Sequence, residues 1–254
     1  MAQHIRNNIL LCHFCIILIQ ERMKKKLVVL TGAGISAESG IMTFRDSGGL
    51  WENHSIEDVA TPEGWRKNPN LVLQFYNERR AKSAEAKPNA GHLALAALEK
   101  HFDVRIITQN VDGLHEKAGS TNVLHLHGEL SKVRSVTNEN LIYDIGEKYI
   151  EIGDLAEDGG QLRPHIVWFG EMVPMIERAA DLCLNADFFV VIGTSMQVYP
   201  AAGLIGYVSD DAPKYIIDPN MPDVSNLYQN ITFFNETATV GVPQLAQKLT
   251  IEFV

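Results

Sequence analysis

Residues 25–41 read KKLVVLTGAGISAESGI: an unbroken apolar run, a glycine turn, then small residues. A strand apolar on both alternating faces is covered on both sides of its sheet, which is the habit of parallel sheets. The turn Gly32-Ala33-Gly34-Ile35-Ser36-Ala37 has the form G-x-G-x-x-A between a strand and a helix start. Its glycines let backbone N–H groups approach a pyrophosphate at a helix N-terminus. Residues 32–36 are therefore candidate cofactor-binding positions.

Outward from this turn, VRIITQN (104–110), NVLHLHG (122–128), DFFVVIGTS (187–195) and KYIID (214–218) read as further buried strands. Helical patterns lie between them at GHLALAALEKH (91–101), MIERAADLCLNA (175–186), YPAAGLIGYVSD (199–210) and VPQLAQKL (242–249). Strands alternating with helices predict an α/β fold, a doubly wound parallel sheet of Rossmann-like type. Two stretches interrupt the alternation. Residues 46–87 look helical and polar, and residues 131–162 carry NENLIYDIGEKYIEIGD, which alternates like a hairpin. These predict a small inserted domain beside a large one built from 23–45, 88–130 and 163–254. Leu141, Tyr143, Ile145, Tyr149, Ile150 and Ile152 would supply packing in the small one. A ligand cleft is expected between the lobes, at the carboxyl ends of the strands.

A dehydrogenase of this type places an acid about twenty residues beyond the turn, at the end of a second strand. Here that region is GGLWENHSIEDV, with Glu52, Glu57 and Asp58 but no buried strand. Hydride transfer is therefore unsupported. Instead Thr43-Phe44-Arg45-Asp46 follows the turn, an aromatic and a cation suited to a loop over a cofactor.

The 254 residues carry a net charge of −9, which argues against bulk nucleic-acid binding because displacing counterions takes a cationic surface. The cysteines are Cys12, Cys15 and Cys183, and this odd, small number fits a reducing compartment and a cytoplasmic protein. The early apolar run ILLCHFCIILI is too short to span a bilayer, so no membrane partner is expected. Met23 begins MKKKLVVLTGAG, which runs directly into the first strand, so residues 1–22 read as an extension before the natural start.

Residues 109–129, QNVDGLHEKAGSTNVLHLHGE, hold His115, His125 and His127. Histidine titrates near neutral pH, so such a cluster either moves protons or binds a metal. GAGISAESGIMTFRDSGGLW, TQNVDGLHEKAGS, LHLHGEL, RPHIVWFGEMVP and VVIGTSMQVYPAAGL occur in that order. Together they resemble the successive signatures of the sirtuins, NAD-dependent protein-lysine deacylases. The resemblance runs from about Lys24 to the C-terminus.

The resemblance implies a set of roles. His127 is the catalytic base. Asn110, with Asp112, holds the nicotinamide carboxamide, a group that both donates and accepts. Gln109 touches the ribose, Ile41 and Phe44 wall the pocket, and Arg45 sits near the phosphates. Gly193, Thr194 and Ser195 form a second turn for phosphate or ribose. Asp218, where the family more often has asparagine, takes the adenosine ribose, and Ala238-Thr239 lines the adenine. Val167-Trp168-Phe169-Gly170-Glu171 pairs with an extended substrate peptide. In the implied reaction the acyl-lysine oxygen displaces nicotinamide from C1′, and His127 then accepts a proton from a ribose hydroxyl. The products are lysine, nicotinamide and O-acyl-ADP-ribose.

In FYNERR (75–80) the spacing of Tyr76 and Arg79 resembles class III sirtuins, which accept acyl groups ending in a carboxylate, such as succinyl. Arginine grips a carboxylate through two hydrogen bonds and tyrosine adds a third. Ala37, where the acyl chain would pass, is suitably small. Arg80 and Lys82 read as solvated charges. His125 is expected to face away from His127 as a packed or hydrogen-bonded side chain, and His115 to be structural.

One family feature is absent. Most sirtuins bind a structural zinc through four cysteines after the H-G-E segment, and 131–164 contains none; Ser135 stands at the first position. No zinc is expected. Two alternatives share these residues: transfer of ADP-ribose to a protein side chain, and an NAD- or ADP-ribose-binding module without turnover.

Overall fold

The computed structural model describes residues 24–41, 50–51, 54–220 and 227–254. The expected extension 1–22 and the loop residues Phe44 and Arg45 lie outside the described residues. In chain order, β1 (Lys26–Thr31) and a short α1 (Gly34–Ala37) are followed by a small hairpin, β2 (Leu50–Trp51) and β3 (His54–Ser55). Next come α2 (Ile56–Val59), α3 (Pro62–Lys67), α4 (Pro69–Glu85) and α5 (Ala90–Leu98). β4 (Asp103–Thr108), α6 (Leu114–Lys117) and β5 (Val123–His125) lead to β6 (Gly128–Ser135), β7 (Ile142–Asp144) and β8 (Leu162–Ile166). The chain ends with α7 (Ile176–Leu184), β9 (Phe188–Ile192), a 3-10 helix (Ala201–Tyr207), β10 (Lys214–Ile217), β11 (Ile231–Phe234) and α8 (Ala238–Phe253).

Six strands form one parallel sheet in the order β11-β10-β9-β1-β4-β5. The chain starts in the middle at β1, builds outward through β4 and β5, then returns beside β1 with β9 and builds the other way. This is the doubly wound arrangement, and its strand order reverses between β1 and β9. Alternation along β1 divides the core. Leu27 and Val29 point into the layer holding Leu95, Leu98, Leu245 and Leu249 of α5 and α8, whereas Val28 and Leu30 point to Cys183 and Leu204. All four β1 residues are fully buried, each worth roughly 1.5–3 kcal/mol of apolar burial.

The second sheet is antiparallel, three strands in the order β7-β6-β8. It spans 128–166, wider than the 131–162 expected. The chain leaves the parallel sheet at Gly128, whose φ of +81° and contact with the His165 carbonyl leave no room for a side chain. The 141–152 stretch does not pair with itself. Only 142–144 joins the sheet, along 132–134. Of the apolar residues expected to pack there, Ile150 is buried and Tyr143 and Ile145 partly cover it, but Tyr149 and Ile152 are exposed. Where a zinc-binding cysteine was sought, the Ser135 hydroxyl donates to Asp158 at 2.9 Å, Thr137 donates to the same carboxylate at 2.6 Å, and the Gly160 N–H at 2.9 Å.

Helix α4 joins the lobes. Asn68 caps it by accepting from the Leu71 N–H (3.2 Å), with Pro69 at the first position. Lys117 closes the other end, donating to the carbonyls of Ser83 and Ala84, both at 2.8 Å. Arg80 is not the solvated charge expected. It is 2% exposed, and its guanidinium donates to the Leu130 carbonyl (2.6 Å), Asn77 Oδ1 (2.7 Å) and the Lys148 carbonyl (3.2 Å). Among the described residues, no helix is long and apolar enough to cross a membrane.

Candidate active site

Gly32 and Gly193 directly follow β1 and β9, so their turns meet at the switch point. The Gly34 N–H donates to the Gly193 carbonyl at 2.9 Å. A Cβ on Gly34 would lie 2.6 Å from the Gly193 Cα, and Gly193 itself has a φ of +60°. The glycines are thus required by the packing of one turn on the other. Beside them opens a cleft of about 820 Å³ between the lobes, the size of a cofactor-binding cavity.

The first wall is the G-x-G-x-x-A turn. Gly32, Ala33, Gly34, Ser36, Ala37 and Ile41 line the cleft. Ile35 does not: its side chain is fully buried in the core beneath α5 and α8. A turn motif of this kind marks backbone positions and does not reveal which side chains point into the protein.

The second wall follows β4. The Asn110 amide nitrogen donates to the Gly32 carbonyl and to Ser36 Oγ, both at 3.1 Å. The Ser36 hydroxyl in turn donates to Asp112 Oδ2 at 3.0 Å, and Asp112 Oδ1 accepts from the Leu114 N–H at 3.0 Å. Burial pushes the Asp112 carboxyl up, against these two hydrogen bonds. Both Asn110 bonds use the amide nitrogen, so its oxygen is available as an acceptor. Gln109 donates to Thr194 Oγ1 at 3.2 Å, tying this wall to the turn after β9.

His127 lies at the floor, with Nδ1 3.0 Å from the Gln109 carbonyl. A carbonyl only accepts, so Nδ1 carries the proton and Nε2 carries the lone pair. Burial lowers the His127 pKa, against that hydrogen bond, so the ring is neutral at pH 7. His125 does not face away as expected. Residues two apart on a strand share a face, and His125 Nδ1 meets the next carbonyl, that of Asn110, at 3.1 Å. His115 is structural, as expected: it is 1% exposed, and its Nε2 lies 3.1 Å from Thr31 Oγ1.

The third wall belongs to the small lobe. Tyr76 and Arg79, one helical turn apart on α4, both line the cleft and are 0% and 6% exposed. Tyr76 Oη accepts from Trp168 Nε1 at 3.1 Å, which leaves its own O–H to donate. Burial raises its pKa, keeping the phenol neutral. Lys82, read from sequence as solvated, also borders the cleft. Val167, Phe169, Gly170 and Glu171 lie opposite. The Glu171 carboxylate is already engaged, by Arg163 at 2.7 and 3.2 Å and by the Trp168 N–H at 2.8 Å, so it shapes this loop. The Val167 N–H bonds the His127 carbonyl at 2.9 Å, fastening the loop to the floor.

At the far end, Gly193, Thr194, Ser195 and Asp218 line the cleft. Asp218 Oδ1 accepts from the Asn220 N–H at 2.8 Å, and Asn220, which sequence reasoning did not single out, is a cleft residue too. The signal was present in Asp218-Pro219-Asn220, a turn after a buried strand. Of the expected Ala238-Thr239 pair, Ala238 lines the cleft beside Thr237, whereas the Thr239 hydroxyl donates to Glu38 at 2.8 Å. Among the described residues, no three His, Cys, Asp or Glu side chains gather as a metal site.

A reversing parallel sheet, paired glycine turns at its switch point and an amide–carboxylate–imidazole set in one cleft define a dinucleotide-binding enzyme fold. Residues 32–200 match the model of the Sir2 family, and the chain belongs to that family. An NAD-dependent protein deacylase of Helicobacter pylori strain J99 is 56% identical over 225 residues, spanning 89% of this chain and 95% of the relative. One from Bacteroides thetaiotaomicron is 55% identical over 230 residues, spanning 89% and 98%. The solved structure of a Sir2 homologue–NAD complex superposes with a TM-score of 0.79 at 38% identity, covering 90% of both chains.

Proposed function

We propose that this chain is an NAD-dependent protein-lysine deacylase that favours acyl groups ending in a carboxylate, succinyl and malonyl among them. The observation that carries the reading is the single cleft that holds the His127 imidazole, the Asn110–Ser36–Asp112 triangle and the buried Tyr76–Arg79 pair. NAD, when bound, supplies a ribose carbon with nicotinamide as leaving group. Asn110 offers an amide oxygen and Asp112 a carboxylate, which suits a carboxamide that both donates and accepts. Ser36 holds these two groups at a fixed separation. His127, with Nδ1 anchored on Gln109, presents Nε2 as acceptor for a hydroxyl proton. Its depressed pKa keeps that lone pair available at neutral pH. Arg79 can grip a terminal carboxylate with two hydrogen bonds while Tyr76 donates a third.

The test is incubation with matched acetyl-lysine and succinyl-lysine peptides, with and without NAD, followed by peptide mass. NAD-dependent loss of succinyl in preference to acetyl is expected. Arg79→Met removes one side of a desolvated charge pair, about 2–5 kcal/mol, and should cut succinyl kcat/KM by roughly 30-fold or more. The acetyl reaction should change far less. Loss of acetyl alone would keep the deacylase and remove the clamp. Binding of NAD without removal of either group would shift the reading to ADP-ribosyl transfer or to a binding module.

A further inference from the structure

The two histidines of Leu124-His125-Leu126-His127 hold two successive carbonyls. His127 Nδ1 holds that of Gln109 (3.0 Å) and His125 Nδ1 holds that of Asn110 (3.1 Å). They differ in their second nitrogen. His125 Nε2 lies 2.9 Å from Glu116 Oε1. Both His125 nitrogens thus face groups that only accept, a carbonyl and a carboxylate. A neutral ring would set a lone pair against one of them, so only the doubly protonated ring satisfies the geometry. The His125 side chain is 8% exposed, and Glu116, 44% exposed, reaches it from α6.

We propose that His125, kept as an imidazolium by Glu116, is a positioning residue of the NAD-binding loop: it fixes the Asn110 carbonyl and sets a positive charge near Asp112. This rests on the NAD-consuming reading of the cleft. The charged and titratable groups around His125 are Glu116, Asp112 and His115 on the 112–117 segment and Glu129 on β6, itself paired with Lys132 at 2.6 Å. Burial is the largest influence and opposes the charge on His125, but the hydrogen bond and charge of Glu116, with Glu129 and the Asn110 carbonyl, together outweigh it and raise its pKa. The positive charge in turn favours the ionised form of Asp112, against the burial that raises its pKa. The sign follows: the brace is present below the raised His125 pKa and is lost as pH rises through it. His127, whose pKa is lowered, must be neutral to act. The pair therefore sets opposite limbs of one pH profile, His127 the acid limb and His125 the alkaline one.

The experiment has two arms. The first titrates the imidazole C–H resonances of the intact protein by NMR and needs no turnover. His125 should titrate above 6.5 in the parent and lower in Glu116→Gln. A parent value at or below 6.5, or no movement in the variant, overturns the proposal. The second measures NAD affinity and kcat/KM for NAD from pH 6 to 9. Glu116→Gln should move the alkaline limb towards acid, so that activity is lost on the alkaline side while the acid limb stays. Glu116→Asp should recover part of the shift. A uniform loss at every pH, with the limb in place, would make the pair merely structural and overturn the proposal. A parent that binds NAD but releases no nicotinamide would sink the deacylase reading; the pH dependence of NAD affinity then decides the positioning role by the same limb.

Discussion

Replacing Arg80 by methionine isolates what the joint between the lobes contributes. The side chain is almost fully buried, so methionine keeps much of the stem's packing while removing the guanidinium. Three acceptors then lose a donor: the carbonyls of Leu130 and Lys148 and the amide oxygen of Asn77. Asn77 retains one use, because its oxygen also accepts from the Ile150 N–H at 3.2 Å. Left short, the buried Leu130 carbonyl costs about 1–3 kcal/mol and the part-buried Lys148 carbonyl towards the lower end of that range. Against this, the protein no longer desolvates a cation, and burial already pulls Arg80 down to about 10. The balance is a loss of about 2–4 kcal/mol. At roughly 2–4 °C per kcal/mol for a chain of this size, Tm should fall by about 4–16 °C. The assay is thermal unfolding followed by circular dichroism, repeated in urea. Arg80→Lys keeps the charge but not the fork, and should fall in between. A methionine variant melting within about 2 °C of the parent, or above it, would refute the assignment of Arg80 as the joint.

Acid should loosen the fold before it reaches the carboxylates. Burial lowers His92 and His165 to about 4 and His115 well below its usual value. Between about pH 6.5 and 4 the unfolded chain binds protons that the folded chain refuses, so stability should decline across that window, measurable as urea midpoints at pH 7, 5.5 and 4.5. A flat midpoint would contradict the burial of these rings. His127→Asn removes the cleft nitrogen placed to accept a proton, and acyl-peptide turnover should drop by about 10²–10⁴ while NAD still binds by calorimetry. Chelators should leave the melt unchanged, because among the described residues no three His, Cys, Asp or Glu side chains gather, and the Ser135 and Thr137 hydroxyls with the Asp158 carboxylate tie that loop. Asp158→Asn, by contrast, should speed amide exchange in 135–161.

The large lobe was legible because its core strands are apolar on both faces and its glycine turn is tightly patterned. β11 was missed because an edge strand of four residues, ITFF, is only half covered and shows no continuous apolar run. Helix α4 read as polar for a different reason: it buries Asn77, Arg79, Arg80 and Ser83, so hydropathy shows no stripe. The 141–152 stretch alternates like a hairpin, yet leaves Ile142, Tyr149 and Ile152 exposed, because β6 offers pairing only to 142–144. At the site, residue types and order identified the walls, but not which side chains were already engaged. Glu171 and Thr239 were assigned to ligands and are taken up by Arg163 and Glu38. Such partners are distant in sequence, so no local pattern announces them.

Those long-range partners also show how the proposed acyl clamp and lobe packing would share one helix. On α4, Tyr76 and Arg79 turn towards the cleft while Asn77 and Arg80 turn towards the small sheet. Asn77 donates to the Ile150 carbonyl at 2.9 Å and Arg80 to Leu130, itself a cleft residue. The clamp is thus mounted on the element that positions the small lobe. Its other support is Trp168, which donates to Tyr76 and lies under Arg163 at 3.3 Å from the ring centroid. Arg163 in turn holds Glu171, which fixes the loop bonded to His127. A chain of contacts therefore runs from Tyr76 to His127 without passing through the parallel sheet. The rigidity of that chain comes from α4, Arg163 and the Ser135–Asp158 cluster, so substitutions at these polar sites should disturb acyl preference and turnover together, whereas those beneath the parallel sheet should lower stability with the preference intact.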